Sequence, residues 1–131
     1  MKKFAAVMVL CVVGIMSGCG AKSIQSLKER PKIHLSATVP GHYNEVFAKS
    51  RYRVFDCLEP TRFETTYFEN KEKKIIETPI GGTDGYAFYA SWQEISEGVT
   101  QVDIYSNFRC CGWDEFAEVL YRGATDTPGC P

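Results

Sequence analysis

The fold is decided in residues 32–58, which read KIHLSATVPGHYNEVFAKSRYRVFDCL. Over residues 32–39, apolar and polar side chains alternate, which predicts a strand with one buried face. After a Pro-Gly turn, apolar residues recur at spacings of three, four and seven, as on one face of a helix. These residues are Tyr43, Val46, Phe47, Val54, Phe55 and Leu58. The pattern ends at Pro60, which cannot continue a helix because it lacks a backbone N–H.

Beyond Pro60 the hydrophobic period changes to two, and the density of Tyr, Phe, Thr and Ile favours strands. Four strands are predicted, over residues 62–68, 73–78, 86–95 and 99–108. A second amphipathic helix is predicted from Trp113 to Ala124, with Asp114 and Glu115 in its first turn. The sequence therefore predicts an α+β fold in the order β-α-β-β-β-β-α. In this fold one antiparallel sheet carries both helices on one face, and the other face stays partly hydrated.

The N-terminal residues have the layout of a secretory signal. Two lysines follow Met1, and the apolar run over residues 4–16 is shorter than the roughly 20 residues that span a bilayer. Ser17 and Gly18 then precede Cys19, with Met16 where leucine is commoner, and this arrangement resembles the lipobox of bacterial lipoproteins. The resemblance implies cleavage before Cys19 and attachment of diacylglycerol and a fatty acyl group such as palmitate to that residue.

This resemblance also implies a location. An aspartate after the lipidated cysteine resembles the signal for inner-membrane retention, but Gly20 stands here. We therefore expect the protein at the periplasmic face of the outer membrane. The expected organisation is a lipoprotein signal peptide over residues 1–18, the lipidated cysteine and a tether over residues 19–31, and one domain over residues 32–131.

Four further cysteines, Cys57, Cys110, Cys111 and Cys130, lie in the expected domain. An even number of cysteines in a small exported domain indicates disulfides. Four cysteines allow three pairings. A bond between the two adjacent cysteines would close a strained eight-membered ring. We therefore expect Cys57 to pair with one of the adjacent cysteines and Cys130 with the other, and the sequence does not say which.

The order of elements behind a lipobox and a tether resembles small Gram-negative envelope lipoproteins with a helix-grip domain. Domains of this kind occur in the C subunit of the outer-membrane β-barrel assembly machine. The segment from Thr38 to Tyr43, continued to Cys57, carries the closest resemblance. The resemblance brings no catalytic motif with it, and an architecture alone does not establish a function.

Residues that would perform chemistry are sparse. The segment from Gly81 to Gly85 lacks the Gly-Lys-Ser/Thr ending of a phosphate loop and is expected to connect a hairpin. Two histidines, His34 and His42, leave little choice of general base, and the cysteines lack the spacing of a zinc site. A net charge of −1 and a pI near 6.1 do not favour nucleic acid. We expect no enzyme, cofactor or metal.

Two functions remain after these exclusions. The first is a protein-binding or scaffolding module for an envelope partner that the sequence does not name. Its expected contacts are Tyr89 and Tyr105, because strand alternation exposes them when their neighbours are buried. The second is a carrier of a small apolar ligand or lipid, with Trp92 and Phe47 lining a cavity between the sheet and the first long helix.

Overall fold

The computed structural model describes residues 23–59, 65–82 and 85–131. A short helix, α1, precedes the elements that the sequence predicts. The helices are α1 (Ile24–Glu29), α2 (Tyr43–Cys57) and α3 (Trp113–Ala124). The strands are β1 (Ile33–Pro40), β2 (Phe68–Asn70), β3 (Ile75–Gly82), β4 (Gly85–Ser96) and β5 (Val99–Ser106).

The five strands form one antiparallel sheet in the order β1-β5-β4-β3-β2. Helices α2 and α3 pack together on one face of it, so the predicted α+β architecture is confirmed. Gly82 pairs with Gly85, which confirms the hairpin expected there; residues 83 and 84 lie outside the described ranges.

Strand β2 is shorter than predicted, because it begins at Phe68. Thr65 and Thr66, which precede it by three and two positions, contact Thr78 of β3 through that residue's side chain and not through backbone pairing. The Oγ1 atom of Thr78 donates to the carbonyl oxygen of Thr66 at 3.1 Å and lies 2.8 Å from the Oγ1 atom of Thr65. The remainder of the predicted strand, residues 62–64, lies outside the described residues.

The core fills the space between the sheet and the two long helices. Trp92 of β4 is fully buried there, and its Nε1 donates to the Oγ of Ser50 on α2 at 3.0 Å. The Ser50 hydroxyl donates in turn to the carbonyl oxygen of Leu120 on α3 at 2.8 Å. A single chain of hydrogen bonds therefore joins the sheet to both helices inside an apolar core, where an unpaired polar group would be costly.

Helices α2 and α3 approach each other closely at Gly123. A Cβ atom at this position would lie 2.6 Å from the carbonyl oxygen of Lys49 and 2.7 Å from the Cα of Ser50. Both distances are far below van der Waals contact. The absence of a side chain at Gly123 is therefore what permits this helix crossing, and through it the Ser50–Leu120 hydrogen bond.

The expected tether differs from the structure over Ile24–Glu29, which form helix α1. Ser23 caps this helix by accepting a hydrogen bond from the backbone N–H of Ser26 at 3.0 Å. Leu27 is fully buried against β4 and β5, on the sheet face opposite α2 and α3. A helix of six residues shows too little periodicity to be recognised in sequence, and its one buried side chain explains why it forms here.

The expected disulfide pairing is wrong. Cys57 bonds to Cys130, with their Cα atoms 5.6 Å apart, and Cys110 is paired with the adjacent Cys111. The tail after α3 folds back onto α2, where Arg53 Nη1 donates to the carbonyl oxygens of Thr127 at 2.6 Å and Gly129 at 2.7 Å. These contacts bring Cys130 to the end of α2. Sequence spacing does not reveal this return of the chain.

Candidate functional site

Tyr89 and Tyr105, the two predicted binding residues, lie on the face of the sheet opposite α2 and α3. Tyr89 is only 3% exposed, so the exposure expected of its side chain is wrong. Its hydroxyl donates to Oε1 of Glu77 at 2.9 Å, and Lys28 of α1 lies over its ring at 4.7 Å from the centroid. Burial and the bond to Glu77 raise the pKa of Tyr89 well above its usual range. Strand alternation failed here because α1 covers the second face.

Tyr105 is half-buried beside Tyr89, with ring centroids 6.2 Å apart. The ring of His34 stacks on it at 4.3 Å, and Nε2 of His34 lies 3.3 Å from Oδ1 of Asp103. Tyr89, Tyr105 and His34 therefore contact one another and neighbouring side chains of the same sheet face. The rest of this face is polar and exposed around β1, as the predicted hydrated face requires.

The two residues expected to line a ligand cavity pack against each other instead. The rings of Phe47 and Trp92 meet edge to face with centroids 5.0 Å apart. Tyr67 closes the cluster at 4.8 Å from Phe47 and 6.4 Å from Trp92. Protein side chains therefore occupy the space that the carrier hypothesis assigned to a ligand.

A carboxylate from the sheet caps the N-terminus of α2. Glu94 accepts hydrogen bonds from the backbone N–H of Tyr43 at 3.1 Å and from Nδ1 of His42 at 3.2 Å. Its second oxygen accepts from the N–H of Gly98 at 3.4 Å, and the ammonium of Lys74 is 3.6 Å away. Removal from water raises the pKa of Glu94, but these four partners outweigh that effect and hold its pKa below the usual value.

Replacing Glu94 by glutamine should therefore change how stability depends on pH. The charged carboxylate stabilises the folded state above the ordinary glutamate pKa, about 4.3, and this contribution is lost as pH falls through the lowered native pKa. Urea unfolding midpoints should be higher for the wild type than for Glu94→Gln at pH 6, and this difference should shrink as pH falls below about 4.3. A gap that is independent of pH would contradict this assignment.

The largest exposed aromatic side chains on a helix belong to α2. Tyr52 is 74% exposed and Phe55 is 54% exposed. The guanidinium of Arg51 lies over the ring of Phe55 at 5.6 Å and over that of Tyr67 at 5.4 Å. Arg51, Tyr52 and Phe55 together are called the α2 outer surface below. A shallow cavity of about 370 Å³ adjoins it, lined by Ala48, Lys49, Tyr52, Arg53, Gly123 and Asp126.

The α2 outer surface was not predicted, because the spacing of apolar residues placed Phe55 on the buried face of the helix. Val54 and Phe55 are adjacent and point about 100° apart on a helix. Of the two, only Val54 lies in the core, where it is 7% exposed. The available signal was the Arg51–Phe55 spacing of four, with Tyr52 between them, which aligns a cation with an aromatic ring on one helix face.

The neighbouring basic residues are used within the fold. Nζ of Lys49 lies 2.8 Å from Oδ2 of Asp126, and Arg53 donates to the returning tail as described above. Within residues 23–59, 65–82 and 85–131, Arg51 is the member of the Lys49–Arg53 cluster whose contacts are aromatic rings only. Arg51 is thus available to a partner from the α2 outer surface.

The other expectations from the sequence concern the lipidated cysteine, metal binding and the membrane. Cys19 lies outside the described residues. In the part of the chain that the structure describes, no group of three or more potential ligands could hold a metal ion. No helix in that part is long and apolar enough to cross a membrane. No protein-family model, curated protein or solved structure matches the chain.

Proposed function

We propose that this protein is a non-enzymatic protein-binding module, anchored through Cys19 at the periplasmic face of the outer membrane. The lipobox-like residues before Cys19 support the anchor. The α2 outer surface supports the binding role, and its two exposed aromatic rings beside the Arg51 guanidinium are the observation that carries the proposal.

The residue types on the α2 outer surface are those that dominate protein interfaces. Tyr and Arg are enriched among residues whose truncation costs more than about 2 kcal/mol of binding energy. The helix that carries them is rigid, since it is capped at one end by Glu94 and joined by Cys57 to Cys130 at the other. A rigid surface loses little conformational entropy when a partner binds.

The carrier of an apolar ligand is the weaker alternative. Its cavity would have to form between Phe47 and Trp92, whose rings are in edge-to-face contact. A ligand there would have to separate these aromatic side chains, which costs free energy that ligand binding would need to recover.

Replacing both α2 aromatics should remove a partner that the native protein retains. We expect the pair Tyr52→Ser and Phe55→Ser to reduce crosslinked partner by more than about tenfold, because two anchor residues of this kind are lost. The measurement is in-cell crosslinking of the anchored protein, followed by capture and quantitative mass spectrometry.

The chain offers a matched control. Phe68 and Ile95 are 56% and 57% exposed and lie outside α2, so Phe68→Ser with Ile95→Ser removes similar apolar surface elsewhere. The control should keep the partner, and Cys19→Ala should lose it together with the membrane. Equal capture by both double variants, at unchanged unfolding midpoints, would refute the α2 outer surface as the binding site.

A further inference from the structure

The charge of the chain is divided unevenly along its length. Residues 19–32 contain four basic side chains (Lys22, Lys28, Arg30 and Lys32) and one acidic side chain, Glu29. Residues 33–131 contain nine basic and fifteen acidic residues. A basic segment therefore lies between the expected anchor and an acidic domain.

Helix α1 attaches residues 24–32 of this basic segment to the domain. Leu27 of α1 is fully buried against the sheet, and the ammonium of Lys28 lies over the Tyr89 ring. Arg30 and Lys32 follow directly, and the backbone N–H of Lys32 bonds to the carbonyl oxygen of Ser106 at 2.9 Å. Lys28, Arg30 and Lys32 are called the basic neck below. All three are exposed, and within the described residues none forms an ion pair.

The neck cannot lie far from an anchor at Cys19. Ser23, which caps α1, is four residues away, and four extended residues span at most about 14 Å. Lysine and arginine near an anionic bilayer are each attracted by about 1 kcal/mol, which is roughly fivefold in affinity, within about one Debye length.

We propose that the basic neck contacts the anionic phospholipid headgroups of the bilayer and thereby orients the anchored domain. The inference rests on the anchoring proposed above. Helices α1 and α2 lie on opposite faces of the sheet. Contact between the basic neck and the bilayer therefore points the α2 outer surface away from the membrane. An acidic domain beyond the neck is repelled by the same headgroups, which favours the same orientation.

The test measures how fast lysines are acetylated in the lipidated protein reconstituted in vesicles. One set of vesicles contains phosphatidylcholine alone and the other contains about 30% phosphatidylglycerol. Lys28 and Lys32 should be protected roughly threefold or more on the anionic vesicles, and 0.5 M NaCl should remove the protection. Lys71 and Lys73, exposed in the turn between β2 and β3 at the other end of the sheet, are internal controls and should not change.

A variant and a flotation assay separate the two proposals. Arg30→Glu should reduce the protection of both lysines while leaving flotation with the vesicles intact. A protein that floats with both kinds of vesicle but shows equal lysine reactivity would overturn the basic neck alone. A protein that floats with neither would overturn the anchoring proposal, and the neck proposal with it.

Discussion

Replacing both Cys57 and Cys130 by serine should lower the free energy of unfolding by about 4 kcal/mol. The bond joins residues 73 positions apart, so it excludes a large share of the conformations open to the unfolded chain. It also fixes the tail against α2, where Arg53 donates hydrogen bonds to two carbonyl oxygens of the tail. Urea unfolding followed by circular dichroism measures the loss.

The adjacent cysteines supply the matched control. Cys110 and Cys111 are one position apart, so a bond between them closes no chain loop that could restrict the unfolded state. Replacing both by serine should therefore change the free energy of unfolding by far less than replacing Cys57 and Cys130. Equal losses from the two pairs would show that the Cys57–Cys130 bond does not hold the tail as described.

Replacing Trp92 by alanine should cost about 3–5 kcal/mol of stability. The indole is fully buried, contacts Phe47 and Tyr67, and donates the hydrogen bond that reaches Ser50. Removing it leaves a cavity that the sheet and α2 cannot close without moving. Thermal or urea unfolding followed by far-ultraviolet circular dichroism is the suitable measurement, because the variant loses a fluorophore.

Ser50→Ala serves as a milder variant with which the stability loss of Trp92→Ala can be compared. It keeps the indole but removes the acceptor of its N–H, at a cost of about 1–3 kcal/mol for an unsatisfied buried donor. We therefore expect Trp92→Ala to be the more damaging change. A loss below about 1 kcal/mol for Trp92→Ala would contradict the packing of Trp92 against Phe47 and Tyr67 and would support the carrier hypothesis for the space around Phe47.

The regular elements follow closely from local patterns. Helix α3 spans the predicted residues, and β1 differs from its prediction by one residue at each end. In these segments side-chain periodicity, turn residues and burial agree, so local preference and tertiary packing point to the same structure. The candidate site was not predictable in this way, because exposure depends on which neighbour arrives from elsewhere in the chain.

Amino-acid order alone was enough for the α+β class, the order of elements from β1 to α3 and the segment resembling a lipobox, but not for helix α1. Each rests on residues close in sequence, whose periodicity or spacing is a local property. Only the tertiary structure decided that Cys57 bonds Cys130, that α1 buries Tyr89, and that Phe55 remains exposed. These outcomes depend on contacts between residues far apart in sequence: the tail returns to α2, helix α1 packs on β4, and the core includes Val54 but not Phe55.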